Sequence, residues 1–402
     1  MRSLILFDDD NWQGLLPLTY TKPICELRVG ILTIREKWEI RLGLKASFIT
    51  QDFLSEKYPI VIEDDNIIIN STILPNDELV QLINNLQPNE ALIEDDELIA
   101  ARLNNDQLQL LTEDQPIEEL IGIDVKKYGD IVNQIIRPYD LFINNGVEIK
   151  KDFDLITFDR TSTTLSDTNR VLNFDQVFIE EGAEIEFATL NASTGPIYIG
   201  KNCKVMEGAI IRGPFAMSDH SQVKMGAKIY EATTLGPHCK VGGEVQNSIL
   251  TAYSSKGHEG YLGNSVLGEW CNLGADTNSS NLKNNYDQVK VWNYASESFQ
   301  KSGLQFCGLI MGDHTKCGIN TMFNTGTVIG VSANLYGSGY PRNFVPSFAW
   351  GGARGFMTYQ SKKALDTAGR VMARRNMKLS EIDKKILLHI FYYSARWRNW
   401  ED

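Results

Sequence analysis

Three consecutive carboxylates, Asp8-Asp9-Asp10, close the apolar stretch Ser3–Phe7. Carboxylates grouped at a strand end can hold a hard cation such as Mg²⁺. The same run can equally form a solvated turn in which the Asp side chains bond their own backbone. Six cysteines raise the question of metal or disulfide chemistry, yet the chain has no CxxC pair and no Cys/His cluster at zinc spacing. Three of them share one frame, Gly-x-x-Cys-x-aliphatic: Gly200 to Val205 around Cys203, Gly236 to Val241 around Cys239, and Gly268 to Leu273 around Cys271. A free Cys packs like a small apolar residue, so these read as inward-facing fillers of a repeat. Reduced thiols agree with a cytoplasmic location.

The Cys frame belongs to a longer period of six. Ile199, Val205 and Ile211 are six apart, and Met311, Cys317, Phe323 and Ile329 repeat the step, often with Gly following the apolar residue. Neither the helical period nor strict alternation produces this pattern. One short strand and a turn fill six residues, and three such units make a triangular coil of 18 that buries its apolar positions when coils stack. Cys203 and Cys239 stand two such coils apart. The expectation is a parallel β-helix over 172–333, interrupted at Asn278–Ser302 by an Asn- and Ser-rich loop. Gly330–Gly355 reads as a non-repetitive connector.

Two other regions flank the repeat. Residues 1–154 alternate strands (Ser3–Phe7, Ile67–Ile69) with helical stretches (Ile31–Arg41, Asn76–Asn85), an α/β signature with an expected parallel sheet. Residues 357–402 carry ten Lys/Arg and five Asp/Glu. There Ser380-Glu-Ile-Asp383 reads as a helix N-cap. Ile382, Ile386, Ile390, Tyr393 and Trp397 follow at helical spacing as a packing stripe.

Composition narrows the function. The chain has 402 residues, a net charge of −12 and a hydrophobic fraction of 43%, so it supports several packed domains. An acidic chain without a basic block is not built for nucleic acid. No apolar run approaches the ~20 residues that span a bilayer, and the apolar start is too short for a signal peptide. A cytoplasmic location, with no nucleic-acid or membrane partner, is expected.

The segment Ser255-Lys-Gly-His-Glu-Gly-Tyr-Leu-Gly263 runs without a gap into Asn264–Ala275 and Ser280-Asn281-Leu282. It resembles the acetyltransferase half of the bifunctional N-acetylglucosamine-1-phosphate uridylyltransferase/glucosamine-1-phosphate acetyltransferase family, and Phe306–Asn320 continues the likeness. More loosely, Leu16-Pro-Leu-Thr-Tyr-Thr-Lys22 through Gly30 resembles the start of sugar-1-phosphate nucleotidyltransferases. The overall resemblance is to a branch of that family with a shortened α/β nucleotidyltransferase-like N-terminal domain, a left-handed parallel β-helix of hexapeptide repeats and C-terminal α-helices. It implies a transferase of UDP-N-acetylglucosamine-type sugar-nucleotide synthesis. The implied substrates are a sugar 1-phosphate, a nucleoside triphosphate and acetyl-CoA, with Mg²⁺ at an active front site. The implied assembly is a homotrimer with acyl-transfer sites between neighbouring β-helices.

Residue by residue, the resemblance gives His258 the role of base for the attacking amine. It puts Tyr261, Asn272 and Asn281 against the amino sugar or the base, and Ala275 near the thioester. Gln246 stands where the family has a phosphate-gripping Lys, Lys228 where it has an Arg, and Leu282 where it has a Tyr. A neutral Gln and a Lys without the bidentate fork change how a phosphate is held, so the acceptor need not be glucosamine 1-phosphate. In the front domain the resemblance keeps Lys22 as the Lys on the phosphates, with Arg28 nearby as a second candidate for substrate binding. The family's Gly-rich loop is replaced by Phe7-Asp-Asp-Asp10-Asn-Trp-Gln-Gly14, and its metal-binding Asp is absent from Asn70-Ser71-Thr72. Asp8, Asp9 and Asp10 are the alternative metal ligands. The competing reading is a catalytically reduced sugar-nucleotide-binding or regulatory protein.

Overall fold

The computed structural model describes residues 2–112 and 122–400. Two compact units emerge. The first holds the residues through Leu15, Lys22–Leu27 and Leu32–Ile136; the second holds Leu16–Thr21, Arg28–Ile31 and everything from Arg137 on.

The first unit is built on six strands, β1 Arg2–Phe7, β2 Ala46–Ile49, β3 Asp65–Asn70, β4 Glu90–Glu94, β5 Glu97–Leu103 and β6 Asp124–Lys127, in the order β2-β1-β3-β5-β4-β6. The sheet is mixed, which corrects the expectation of a parallel one. β1 pairs in parallel with β2 and β3, but β5 runs antiparallel to β3 and β4. The reason is local: Asp95 and Asp96 both take positive φ, the conformation of a two-residue hairpin that reverses the chain at once. Helix α1, Ile34–Leu42, starts three residues later than its apolar pattern because Thr33 caps it, with Glu36 closing a capping box and Gly43 ending it in the left-handed region. A short helix α2, Asp52–Ser55, precedes α3, Asp77–Asn85, which Asn76 caps as its sequence foretells; α4 spans Asn105–Thr112.

The second unit is a left-handed parallel β-helix with helices at both ends of its sequence. Its short strands stack into three sheets, and register advances by 18 along much of each: Ile197 pairs with Phe215 and Phe215 with Thr233, while Lys204 pairs with Gln222 and Gln222 with Lys240. Val223, Val241, Leu250, Phe215 and Phe323 fill one continuous core. All six cysteines are free and buried. Two glycines of the Cys frame sit where coils approach closely. A Cβ on Gly236 would stand 1.6 Å from the Thr251 carbonyl oxygen, and one on Gly268 2.2 Å from the Asp313 carboxylate.

One step is longer: Val266 pairs with Ile310 and Asn272 with Lys316. The intervening excursion leaves the coil after Asn278–Ser279, which still pair with Met322–Phe323, and forms an antiparallel hairpin of Lys290–Asn293 with Ser298–Lys301. Coil pairing continues through the stretch that reads as a connector, with Val328 on Phe344 and Asn334 on Trp350. On one corner His220, His238, Tyr253, Trp270 and His314 stack face to face in successive coils, with centroids 4.1–6.3 Å apart. This ladder gives His238 and His314 a packing role. Helix α5, Asp140–Thr157, precedes the coils. Helices α6, Ser361–Ala373, and α7, Glu381–Tyr393, follow, α7 capped by Ser380 with Asp383. Ile386 and Ile390 are buried, and Phe391 meets Phe348 of the last coil edge-on. No helix among the described residues is long and apolar enough to cross a membrane.

Candidate functional site

The motif residues lie on one corner and two adjoining faces of the β-helix. Tyr261–Gly263 lies between Glu244–Gln246 and Asn278–Ser279 in one sheet. The Tyr261 hydroxyl donates to Gln246 Oε1 at 3.0 Å and accepts from Asn281 Nδ2 at 3.0 Å; that amide also donates to Asn264 Oδ1 at 2.8 Å. A fourth bond, from the Tyr261 backbone N–H to Asn278 Oδ1 at 2.8 Å, fixes the strand edge. Gly263 makes the array possible, because a Cβ there would lie 2.3 Å from the Tyr261 hydroxyl. Burial raises the Tyr261 pKa, opposed by the Asn281 hydrogen bond, so the hydroxyl keeps its proton.

His258 lies on the exposed corner just before this strand. Ala275 is on the corner of the next coil, and the two corners are tied by Asp276 N–H to Glu259 O at 3.1 Å. Lys228 is exposed in the same sheet, opposite Glu244. Asn272 is exposed on the adjoining face, paired with Ser255. The structure thus joins Gln246, Tyr261 and Asn281 by hydrogen bonds, sets Lys228 in their sheet, and holds Asn272 one face away.

A residue that the sequence conceals stands behind His258. Lys256 takes an inward register position, opposite Val241, and is only 2% exposed. Its ammonium donates to the His258 carbonyl oxygen at 2.6 Å. Loss of hydration lowers its pKa to about 8, outweighing the nearby Glu259 and Asp276. With the folded value below the unfolded one, the unfolded chain binds more protons between about pH 8 and ~10.4, so stability rises with pH across that window. Lys256→Met keeps the length without the charge. It is expected to hold or raise stability at pH 7, by on the order of 1 kcal/mol, and to flatten that rise; denaturant unfolding at pH 7 and pH 10 checks both.

Among the candidate phosphate and metal residues near the start of the chain, Asp8, Asp9 and Arg28 are committed to internal bonds. Asp8 accepts from the Ile24 backbone N–H at 3.0 Å and the Thr50 hydroxyl at 2.7 Å. Asp9 caps the 3₁₀ turn Asp10–Gln13 and accepts from Asn11 and, at 2.8 Å, from Asn70 Nδ2. Asp10 is exposed. This is the hydrogen-bonded turn rather than a cation cradle. Among the described residues no three His, Cys, Asp or Glu are arranged to hold a metal ion. The carboxylates as placed do not fit Mg²⁺. Lys22 is 4% exposed; Arg28, 8% exposed, donates to the Ile31 carbonyl.

Removal from water raises the Asp8 pKa to about 7. The folded unit therefore binds a proton that the unfolded chain releases near pH 4, and stability falls as pH rises from about 4 to about 7. Asp8→Asn is expected to keep the unit folded and remove that slope, as read by urea unfolding at both ends of the window.

With this geometry in place, the comparisons separate the two regions. Residues 4–161 match the family model described as sugar nucleotidyl transferase. Across the curated proteins, the Bifunctional protein GlmU of Methanocaldococcus jannaschii is 37% identical over 87 residues, 22% of this chain and 21% of that protein. An uncharacterized acetyltransferase of Escherichia coli, YaiX, is 25% identical over 163 residues, 40% of this chain and 65% of that protein. The matched part of the chain thus spans about a fifth of the archaeal relative's length and under two thirds of the bacterial one. The crystal structure of the polySia specific acetyltransferase NeuO superposes with a TM-score of 0.25 at 14% identity, over 48% of this chain and 87% of that chain. That score is too low to bear on the site, and the β-helix rests on its own register.

Proposed function

We propose that this chain is a transferase of sugar-nucleotide synthesis whose β-helix moves an acyl group from a coenzyme A thioester to the amine of a sugar phosphate. The observation that carries this reading is the bonded array of Gln246, Tyr261, Asn281 and Asn264 beside an exposed His258. In the reaction His258 takes the amine proton as nitrogen attacks the thioester carbonyl. The tetrahedral intermediate then collapses with release of the thiolate, which takes up a proton. The Tyr261 hydroxyl and the Asn281 amide hold the sugar hydroxyls. Ala275, small and on the neighbouring corner, leaves room for the thioester. Gln246 supplies an amide where a phosphate would prefer a cation, so the acceptor's phosphate is met by Lys228 or the acceptor carries it elsewhere. Three copies would close the site between adjacent β-helices, which a solution mass measurement checks.

The front unit's match supports nucleotidyl transfer to a sugar 1-phosphate. The internal bonds of Asp8 and Asp9 and the burial of Lys22 favour a second reading for that unit, binding of a sugar nucleotide without transfer. Thermal stabilisation separates them. Acetyl-CoA is expected to raise Tm through the β-helix; a rise with a UDP-sugar but none with UTP and Mg²⁺ selects the binder. No response to acetyl-CoA at millimolar concentration would remove the acyl-transfer reading.

A further inference from the structure

The second unit contains a cavity of about 830 Å³ that none of the motif residues lines. Its walls come from the excursion hairpin, the last coil and the C-terminal tail. Four cations line it, Lys283, Lys290, Arg342 and Arg396, and no carboxylate does among the described residues. The other walls are aromatic: Trp292 stacks on Phe344 at 4.1 Å, and Trp397 and Trp400 close the tail side. Two of the cations already have partners: Lys283 donates to the Gln288 carbonyl, and Arg396 pairs with the Glu297 carboxylate at 3.6 Å and lies over the Trp397 ring at 4.3 Å. Lys290 and Arg342 are exposed, and no carboxylate partner is found for either among the described residues. Among the described residues the buried indole N–H groups of Trp292 and Trp397 find no acceptor either, and such orphan donors are uncommon in folded proteins.

We propose that this cavity binds a nucleotide, its base stacked among the rings and its phosphates held by Lys290 and Arg342. The chemistry is specific in kind. Ring faces take any flat base, guanidinium and ammonium groups take phosphate oxygens, and the volume falls in the range of small-ligand sites. A simple anion would use the cations but not the rings, and an apolar ligand would leave two cations facing it. The proposal does not rest on acyl transfer at His258.

Calorimetry on the full chain tests it, with UTP, ATP, coenzyme A and pyrophosphate as probes. Coenzyme A also carries an adenine and phosphates, so its arm separates a free nucleotide from a bound co-substrate. Binding of at least one base-containing probe is expected, with pyrophosphate weaker by about tenfold or more. Lys290→Glu and Arg342→Glu, both at exposed positions, should each weaken that binding by about tenfold or more. Equal binding of pyrophosphate would overturn the stacking. Binding that both variants leave unchanged would place the nucleotide elsewhere and overturn the site, as would no binding at all by the folded chain.

Discussion

His258→Ala is expected to lower kcat for acyl transfer by roughly 10²–10⁴-fold while leaving the melting temperature nearly unchanged. Both halves follow from one placement. The imidazole is exposed, and among the described residues only the backbone of His258 is hydrogen-bonded, its carbonyl accepting from Lys256. Removing the side chain therefore costs the fold little, within about 0.5 kcal/mol for a surface change. In the proposed reaction the amine, by contrast, loses the group that takes its proton. If, as proposed, Tyr261 and Asn281 rather than His258 hold the acceptor, KM should change far less than kcat. A steady-state comparison of thiol release, run beside a melting curve, reads the two halves together. A variant that keeps its rate would remove His258 from the chemistry, and one that melts early would make the corner structural.

Gly236→Ala is expected to be the costliest small change in the β-helix. Its added Cβ would fall 1.6 Å from the Thr251 carbonyl oxygen and 2.5 Å from the carbon of that group. Both atoms are backbone of the next coil, so no rotamer can relieve the clash; the coils must separate, and the pairing of Thr234 with Ile249 and Leu235 with Leu250 goes with them. Overpacking ordinarily costs about 1–3 kcal/mol, and this site belongs at or beyond that upper end, a Tm loss of roughly 6–12 °C for a unit of this size. Two controls bracket it. Gly257→Ala meets only the Ser255 hydroxyl, at 3.4 Å, and should be near neutral. Gly369, within α6, has nothing within 4 Å of an added Cβ, so Gly369→Ala should stabilise by about 0.5–1 kcal/mol. Opposite signs for Gly236 and Gly369, read by thermal melting, would show that coil contact rather than glycine content sets the cost.

The coil was legible in the sequence because each turn must bury its aliphatic position and keep a glycine where backbones touch, as at Gly200, Gly236 and Gly268. The ends of the solenoid were harder to see. Between Asn334–Leu335 and Phe344–Val345 a corner rich in Gly and Tyr replaces a strand, so the six-residue step disappears although the backbone still pairs. The mixed front sheet hinged on Asp95-Asp96, two acidic residues that look like a solvated loop and act as a hairpin. Lys256 was hidden for a similar reason: a lysine in a strand reads as solvent-facing, and only the register turns it inward. His258, Tyr261 and Asn281 were found as a motif. That Gln246 completes their array by bonding Tyr261 came from the geometry, since the residues are separated in sequence and meet only when coils stack.

The most direct test of the central claim is product formation by the unaltered chain. Acetyl-CoA carrying a labelled acetyl group would be incubated with amino-sugar phosphates and the recovered sugars examined by mass spectrometry. The account predicts label on the amino nitrogen of at least one acceptor, with one thiol released per acetyl transferred. No labelled product from the folded chain with any amino-sugar phosphate would contradict it.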